Sequence, residues 1–282
     1  MRRTMNTRRR LAYAMAGAAV FAVAVGAWLH FTVPASVLDQ LEYIPTAKGS
    51  ASRAGLGVVG SAIAETSSAQ GVYDFSDETV GAEPTSFLAV VGNWVIGADG
   101  DNKVLVVDGR KWKEGQPAAG LADKARAIYG ERYAEFLDNV KAYAYFPYAV
   151  AKGIDDFRNG EITMRFKPIA GRIDQGAGIL FNLKPNGDYL TVRANALENN
   201  LVLWQYVHGK RSSVKWVRNT PTATRQWHDL KLVIKGNRIE SYLDGKLTLT
   251  HELPAPVSGK IGVWSKADSV VYFDDFTVKP AD

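Results

Sequence analysis

Side chains able to do chemistry concentrate between Gly187 and Val278, in runs whose polarity alternates as strands do. Successive side chains of a strand point to opposite sides, so odd and even positions sort each run into two faces. In Tyr189–Asn195, Leu190, Val192 and Ala194 share one face, while Tyr189, Thr191, Arg193 and Asn195 share the other. Leu201 and Leu203 oppose Trp204, Tyr206 and His208, and Ile261 and Val263 oppose Trp264 and Lys266. Earlier in the chain Ile162, Met164 and Phe166 oppose Thr163, Arg165 and Lys167. If these four polar sides lie on one sheet, the expected contact residues are Arg165, Tyr189, Arg193, Asn195, Trp204, Tyr206, Trp264 and Lys266. Aromatic walls with a few guanidinium and amide anchors are the blend that ligand sites use, and rings of this kind stack on sugar faces. A sheet that merely faces water, with Trp and Tyr in cross-strand pairs, has the same composition.

Catalytic patterns are sparse. His30, His208, His228 and His251 have no zinc spacing, and neither a nucleophile elbow nor a phosphate-binding glycine loop occurs. The chain has no cysteine, which excludes disulfides, thiolate nucleophiles and cysteine-ligated metals. Glycoside hydrolysis by the usual route needs two carboxyl groups flanking the bond, and Glu161, Glu198 and Glu240 qualify by residue type only. Asp74 near the first strand and Asp274-Asp275 in the last would converge if the terminal strands pair. Such a set of hard oxygens suits a structural Ca²⁺ ion, although paired aspartates also serve simply to cap turns.

The elements that must position these groups are short. Strands are expected at Val104–Val107, Glu161–Lys167, Ala177–Leu183, Tyr189–Asn195, Leu201–His208, His228–Lys235, Arg238–Leu243, Lys246–Thr250, Lys260–Ser265 and Val270–Val278. Asp-Gly at 108–109 and 244–245, Asn-Gly at 186–187 and Gly-Asn at 236–237 signal hairpins. The pattern predicts an all-β sandwich. Ala118–Val140 breaks the rhythm, with Leu121, Ala125, Ile128, Tyr129, Phe136 and Val140 at helical spacing. It is expected to be one inserted amphipathic helix, either packed on the sandwich edge or lying as a lid over a binding face.

Before Ser36 the only charges are Arg2, Arg3, Arg8, Arg9 and Arg10, and the uncharged run Leu11–Val33 is long enough to span a bilayer. Residues 1–35 therefore read as a signal anchor, an N-terminal membrane helix, or as a signal peptide cleaved near Val33-Pro34-Ala35. Either way the arginines stay inside and the rest is exported to the bacterial envelope. Thr7-Arg8-Arg9-Arg10-Leu11-Ala12 also resembles a twin-arginine signal. Residues 36–70, rich in Ser, Ala and Gly, read as a flexible linker, and residues 71–282 as the sandwich domain. Removing the five leading arginines from 34 basic residues leaves 29 against 29 acidic ones, and a neutral body argues against nucleic acid as a partner.

The blocks YLTVRANALENNLVLWQYVHGKR and GKIGVWSKADSVVYFDDFTV, with Trp227-His228, Lys235-Gly236 and Asp244-Gly245 between them, resemble the concanavalin A-like lectin and glucanase superfamily. Within it the chain is similar to an exported laminin-G-like, 3-keto-disaccharide hydrolase-like branch, over roughly Val72–Lys279. The resemblance implies a jelly-roll sandwich and affinity for carbohydrate or glycoconjugate. The E-x-D-x-x-E strand of family 16 glycoside hydrolases is absent: Glu161-Ile162-Thr163-Met164 has other residues, and Ile154-Asp155-Asp156-Phe157 lacks both glutamates. Asn182-Leu183 stands where relatives carry an Arg-Tyr pair. The expectation is thus an exported, membrane-anchored sugar-binding module. A sugar hydrolase or lyase, or a structural envelope protein with a protein partner, is the alternative.

Overall fold

A computed structural model describes residues 70–111, 120–133 and 146–281. The expected membrane segment and the linker to residue 69 lie outside the described residues. Within them no helix is long and apolar enough to cross a membrane. Among the described residues fifteen strands follow in chain order: β1 (Gly71–Tyr73), β2 (Phe87–Val91), β3 (Trp94–Asp99), β4 (Asn102–Asp108), β5 (Tyr148–Ala151), β6 (Gly160–Ala170), β7 (Gly176–Leu183), β8 (Tyr189–Asn195), β9 (Asn200–Val207), β10 (Lys210–Arg218), β11 (His228–Lys235), β12 (Arg238–Leu243), β13 (Lys246–Glu252), β14 (Lys260–Ser265) and β15 (Val270–Pro280). They form two antiparallel sheets. The first runs β13-β12-β11-β6-β15-β4-β3 with β1 on β15, and the second runs β10-β9-β8-β7-β14-β5-β2. The expected all-β sandwich is present, and it fits a jelly roll.

Alternation explains the first sheet. Along β6 the even residues Ile162, Met164 and Phe166 are buried between the sheets while Thr163, Arg165 and Lys167 point outward. Phe157, Phe181, Val192, Leu203, Leu232, Val263 and Phe273 complete this inter-sheet core, each large apolar side chain contributing roughly 1.5–3 kcal/mol by burial. The second sheet is different, because all seven residues of β8 are buried. Its outer face carries another apolar cluster, in which Val202, Trp204, Tyr206 and Trp264 join Leu121, Ala125, Ile128 and Tyr129.

Those last four residues are the inward stripe of helix α1 (Leu121–Tyr129), as their spacing predicted. The helix packs against β2, the end strand of the second sheet, on that sheet's outer side, so the edge-packed expectation describes it. A 3-10 turn at Gly130–Arg132 follows it, and residues 118–119 and 134–140 of the expected helix lie outside the described residues.

The turn signals at 186–187, 236–237 and 244–245 connect adjacent strands, with Asp244 and Gly245 both at positive φ (49° and 76°) as a tight hairpin needs. Asp108-Gly109 is the exception, because it leads into a 3-10 turn at Gly109–Lys111 instead of a hairpin. Gly109 is there for close approach: its N–H donates to the Ser269 carbonyl at 2.9 Å, and a Cβ would run into the Ala267 carbonyl oxygen. Gly109→Ala should therefore destabilise the fold by about 1–3 kcal/mol through overpacking, read as a lower midpoint in chemical denaturation. An unchanged midpoint would show that the contact is slack.

Candidate functional site

Register gathers three of the four expected polar sides on the outer face of the second sheet. β8 pairs with both β7 and β9, so Tyr189, Arg193 and Asn195 stand beside Tyr206, Val202 and Asn200. Trp264 of β14 joins them across β7, opposite Gly178. Arg165 does not. It sits on β6 in the first sheet, faces away from the core, pairs with Asp275 at 3.1 Å and lies 4.8 Å over the Trp227 ring. Alternation fixes the face of a strand but says nothing about which sheet the strand enters.

The shared face has two halves. In the aromatic half, Tyr189 and Tyr206 stack at 4.2 Å, Phe146 stacks on Trp264 at 5.8 Å, and Trp264 Nε1 donates to Tyr189 Oη at 3.0 Å. Tyr206 and Trp264 are fully buried and Tyr189 nearly so. Burial pushes the Tyr206 hydroxyl far above its ordinary value. These three residues form the floor of the cluster that α1 also packs into, and they do not form the open contact surface expected of them.

The polar half is a chain of ions and amides, mostly buried, with the Glu198 side chain at its rim 39% exposed. Arg193 is 1% exposed. Its Nη1 donates to Asn200 Oδ1 at 2.8 Å and to Glu198 Oε2 at 3.1 Å, and Asn200 Nδ2 reaches the same Glu198 oxygen at 3.0 Å. Alongside, Asn195 Nδ2 donates to Asp174 Oδ1 at 2.6 Å, and Lys266 Nζ binds Asp174 Oδ2. Burial raises the Asp174 carboxyl above the ordinary aspartate value, despite the bond and charge of Lys266. Burial alone would also raise Glu198, but the bond from Asn200 and the charge of Arg193 outweigh it and hold that carboxyl below the usual glutamate range. Two donors in this half have no acceptor: Arg193 Nε and Trp204 Nε1.

An open margin lies at β10. Its pairing with β9 slips between Ser213 and Lys215, and this bulge reverses the parity. Arg211, Ser213, Trp216 and Arg218 consequently oppose Tyr206, Trp204, Val202 and Asn200 and share the outer face. Trp216 is 41% exposed and meets Trp204 edge-on at 5.3 Å. The Arg211 guanidinium lies 4.3 Å over Trp204. Sequence reasoning missed Arg211, Trp216 and Arg218. The one available signal was the break in alternation within KRSSVKWVR. It also missed Asp174, which has no strand of its own, and reached Glu198 only as a residue type.

The expected calcium ligands are engaged separately. Asp74 Oδ1 accepts from the Ser76 backbone and hydroxyl, Asp274 accepts from Asn102 Nδ2 at 2.7 Å and from the Asp275 backbone, and Asp275 faces Arg165. A guanidinium beside the pair does not fit a cation site. Among the described residues no group of three His, Asp or Glu side chains is placed to hold a metal. His208 sits in the exposed β9–β10 turn with φ 48°.

Residues 172–273 match the Laminin G domain family, well under half of the chain. No curated protein matches the sequence. Among solved structures, the chain is similar to the carbohydrate binding module CBM66 from Bacillus subtilis, at 14% identity and TM-score 0.49, over 71% of this chain and 99% of that one. It is similar to a Bacillus licheniformis beta-glucanase at 15% identity and TM-score 0.37, over 48% and 72% of the two chains. It is also similar to the Caenorhabditis elegans galectin LEC-6 at 17% identity and TM-score 0.36, over 49% and 97%. The described part of the protein is a two-sheet β-sandwich, and residues 172–273 within it are similar to the Laminin G domain family, as the two sequence blocks implied.

The opposed carboxyl shifts give a signed prediction. A folded value below the unfolded one, roughly 4.3 for glutamate, means that Glu198 stabilises the fold above that pH and loses this contribution as pH falls through the folded value. The stability gap between wild type and Glu198→Gln at neutral pH should therefore close on acidification below about pH 4. Asp174, with its value raised, contributes most in acid and loses its contribution as pH rises, so it cannot produce this trend. A gap independent of pH would mean that Glu198 is not held as an ion.

Proposed function

We propose that the outer face of the second sheet, from Arg193 and Asn195 to Trp204 and Trp216, binds a carbohydrate or glycoconjugate. On this reading the arginine-headed run Leu11–Val33 holds the protein in the membrane with the sandwich exported. The observation that carries the binding reading is the pair of donors without acceptors. A buried unsatisfied N–H costs about 1–3 kcal/mol, and native interiors rarely tolerate one. Arg193 Nε and Trp204 Nε1 both stand on a face that opens at Trp216. Movement of the side chains that cover these atoms would let a hydroxyl-rich ligand supply their acceptors, and its ring would meet the exposed Trp216 indole.

A second reading, hydrolysis of a glycosidic bond, draws support from Asp174 and Glu198. One carboxyl is raised and the other lowered in two adjacent networks, which is the division of labour that acid and base need. Against it, Asp174 is 0% exposed and both its oxygens are engaged. Binding without turnover is the better-supported function.

Trp204→Phe removes one of the two donors and keeps an aromatic ring. One net hydrogen bond of about 0.5–1.5 kcal/mol corresponds to an affinity loss of roughly two- to tenfold. The test is titration of full-length protein and variant with a panel of oligosaccharides, followed by thermal shift and by analysis of released sugars. Stabilisation by intact sugar that weakens in the variant supports the module, and released product favours the hydrolase. A panel without any shift refutes both.

A further inference from the structure

Beyond residue 35 basic and acidic residues balance, 29 against 29, but the open margin is not neutral. Between Glu198 and Asp229 there is no acidic residue, whereas Lys210, Arg211, Lys215, Arg218 and Arg225 are all basic. Four of these lie on β10, the end strand of its sheet. Among the described residues no carboxylate pairs with Arg211 or Arg218. What holds them is aromatic: Arg211 lies 4.3 Å over Trp204 and 5.1 Å over Phe146, and Arg218 lies 5.7 Å over Trp216. Stacking orients a guanidinium and leaves its charge and its donor edge unspent.

Arg211 opposes Tyr206 and Arg218 opposes Asn200, a separation of about 20 Å along the strand at the usual rise per residue. Trp216 stands between them on the same face. The margin is thus a linear track, with a cation toward each end and an exposed indole between.

We propose that this margin selects an anionic sugar chain, a polysaccharide of uronic acids laid along β10, with carboxylates on Arg211 and Arg218 and a ring on Trp216. The inference rests on the carbohydrate reading above and adds the class of sugar. A uronate unit carries both features that the track complements, a ring face for the indole and, at its rim, a carboxylate that matches the planar guanidinium fork. A neutral sugar would leave both guanidiniums unused. A nucleic acid needs a longer basic stripe than a body of balanced charge provides.

The test is binding of the full-length protein to oligogalacturonate, to a neutral β-glucan oligosaccharide, to single-stranded DNA and to vesicles of anionic phospholipid. Expected are preference for the uronate chain, weakening between about 0.05 M and about 0.5 M salt as exposed charges are screened, and loss of about tenfold or more in Arg211→Ala/Arg218→Ala, in line with charged hydrogen bonds. The same double variant should lose its preference for the uronate chain over the neutral sugar, and its melting temperature reports whether the fold survives. Arg211→Lys/Arg218→Lys keeps the charge but not the fork, and intermediate affinity in it separates recognition from simple attraction. Neutral sugar bound as tightly as uronate, or uronate affinity unchanged in a folded double variant, overturns this inference and leaves the carbohydrate reading standing. DNA or anionic vesicles bound more tightly than the uronate chain also overturns it, and no sugar bound at all removes both.

Discussion

Apart from its end strand β10, the second sheet is buried on both faces, and the rest of the structure follows from that constraint. One face closes the inter-sheet core, and the other lies in a cluster with the apolar stripe of α1. A polar group on that outer face cannot rely on water. Desolvating a guanidinium or a carboxylate costs several kcal/mol unless ionic and amide partners replace the solvent, and removing one partner of such a pair costs about 3–5 kcal/mol. Arg193 is therefore matched by Glu198 and Asn200, and Asp174 by Lys266 and Asn195. The two groups meet near the start of β7: a Cβ at Gly176 would stand within 3.0 Å of Asp174 Oδ1 and 3.3 Å of Arg193 Cδ. A bare glycine there lets the two charged networks lie side by side.

Much of this was legible because the strand period is two and hairpin chemistry is local. The spans Tyr189–Asn195, His228–Lys235, Arg238–Leu243 and Lys260–Ser265 were readable to the residue. The inward and outward sides of β6, β8, β9 and β14 were readable as well. Phe87–Val91 and Tyr148–Ala151 were not, since nearly every residue in them is buried and an unbroken apolar run has no parity to read. Lys210–Arg218 escaped because its bulge reverses the faces midway. Trp94–Asp99 also passed unnoticed, because Gly97 and Ala98 interrupt its alternation.

The candidate site was half legible, for a reason that lies in long-range packing. Arg193 and Asn195 were found because they alternate with Val192 and Ala194. The sheet that a strand joins depends on partners far away in sequence: β6 sits between β11 and β15, which no feature of Glu161–Lys167 encodes. Likewise, Tyr189, Tyr206 and Trp264 have the composition of a binding surface, and Phe146, stacked on Trp264 and edge-on to Tyr206, helps turn them into a floor. The same residue types serve as contact or as core according to what covers them.

Edge protection alone does not account for β10. End strands commonly carry charge that discourages pairing with another chain, and lysine, a strongly hydrated point charge, suffices for that. Lys210 and Lys215 fit that role, and Lys215 Nζ also ties the margin to the opposite sheet through the Thr250 carbonyl at 2.8 Å. Arg211 and Arg218 are placed differently, over indole faces on the side that leads to Arg193 and Asn200. An exposed guanidinium gains about 0.5–1 kcal/mol from a ring, comparable with an exposed ion pair. The ion pair would cancel its charge, whereas the ring does not. Holding two cations with aromatic rings keeps them oriented while their field still reaches the solvent, a property that protecting an edge does not require and that attracting an anion does.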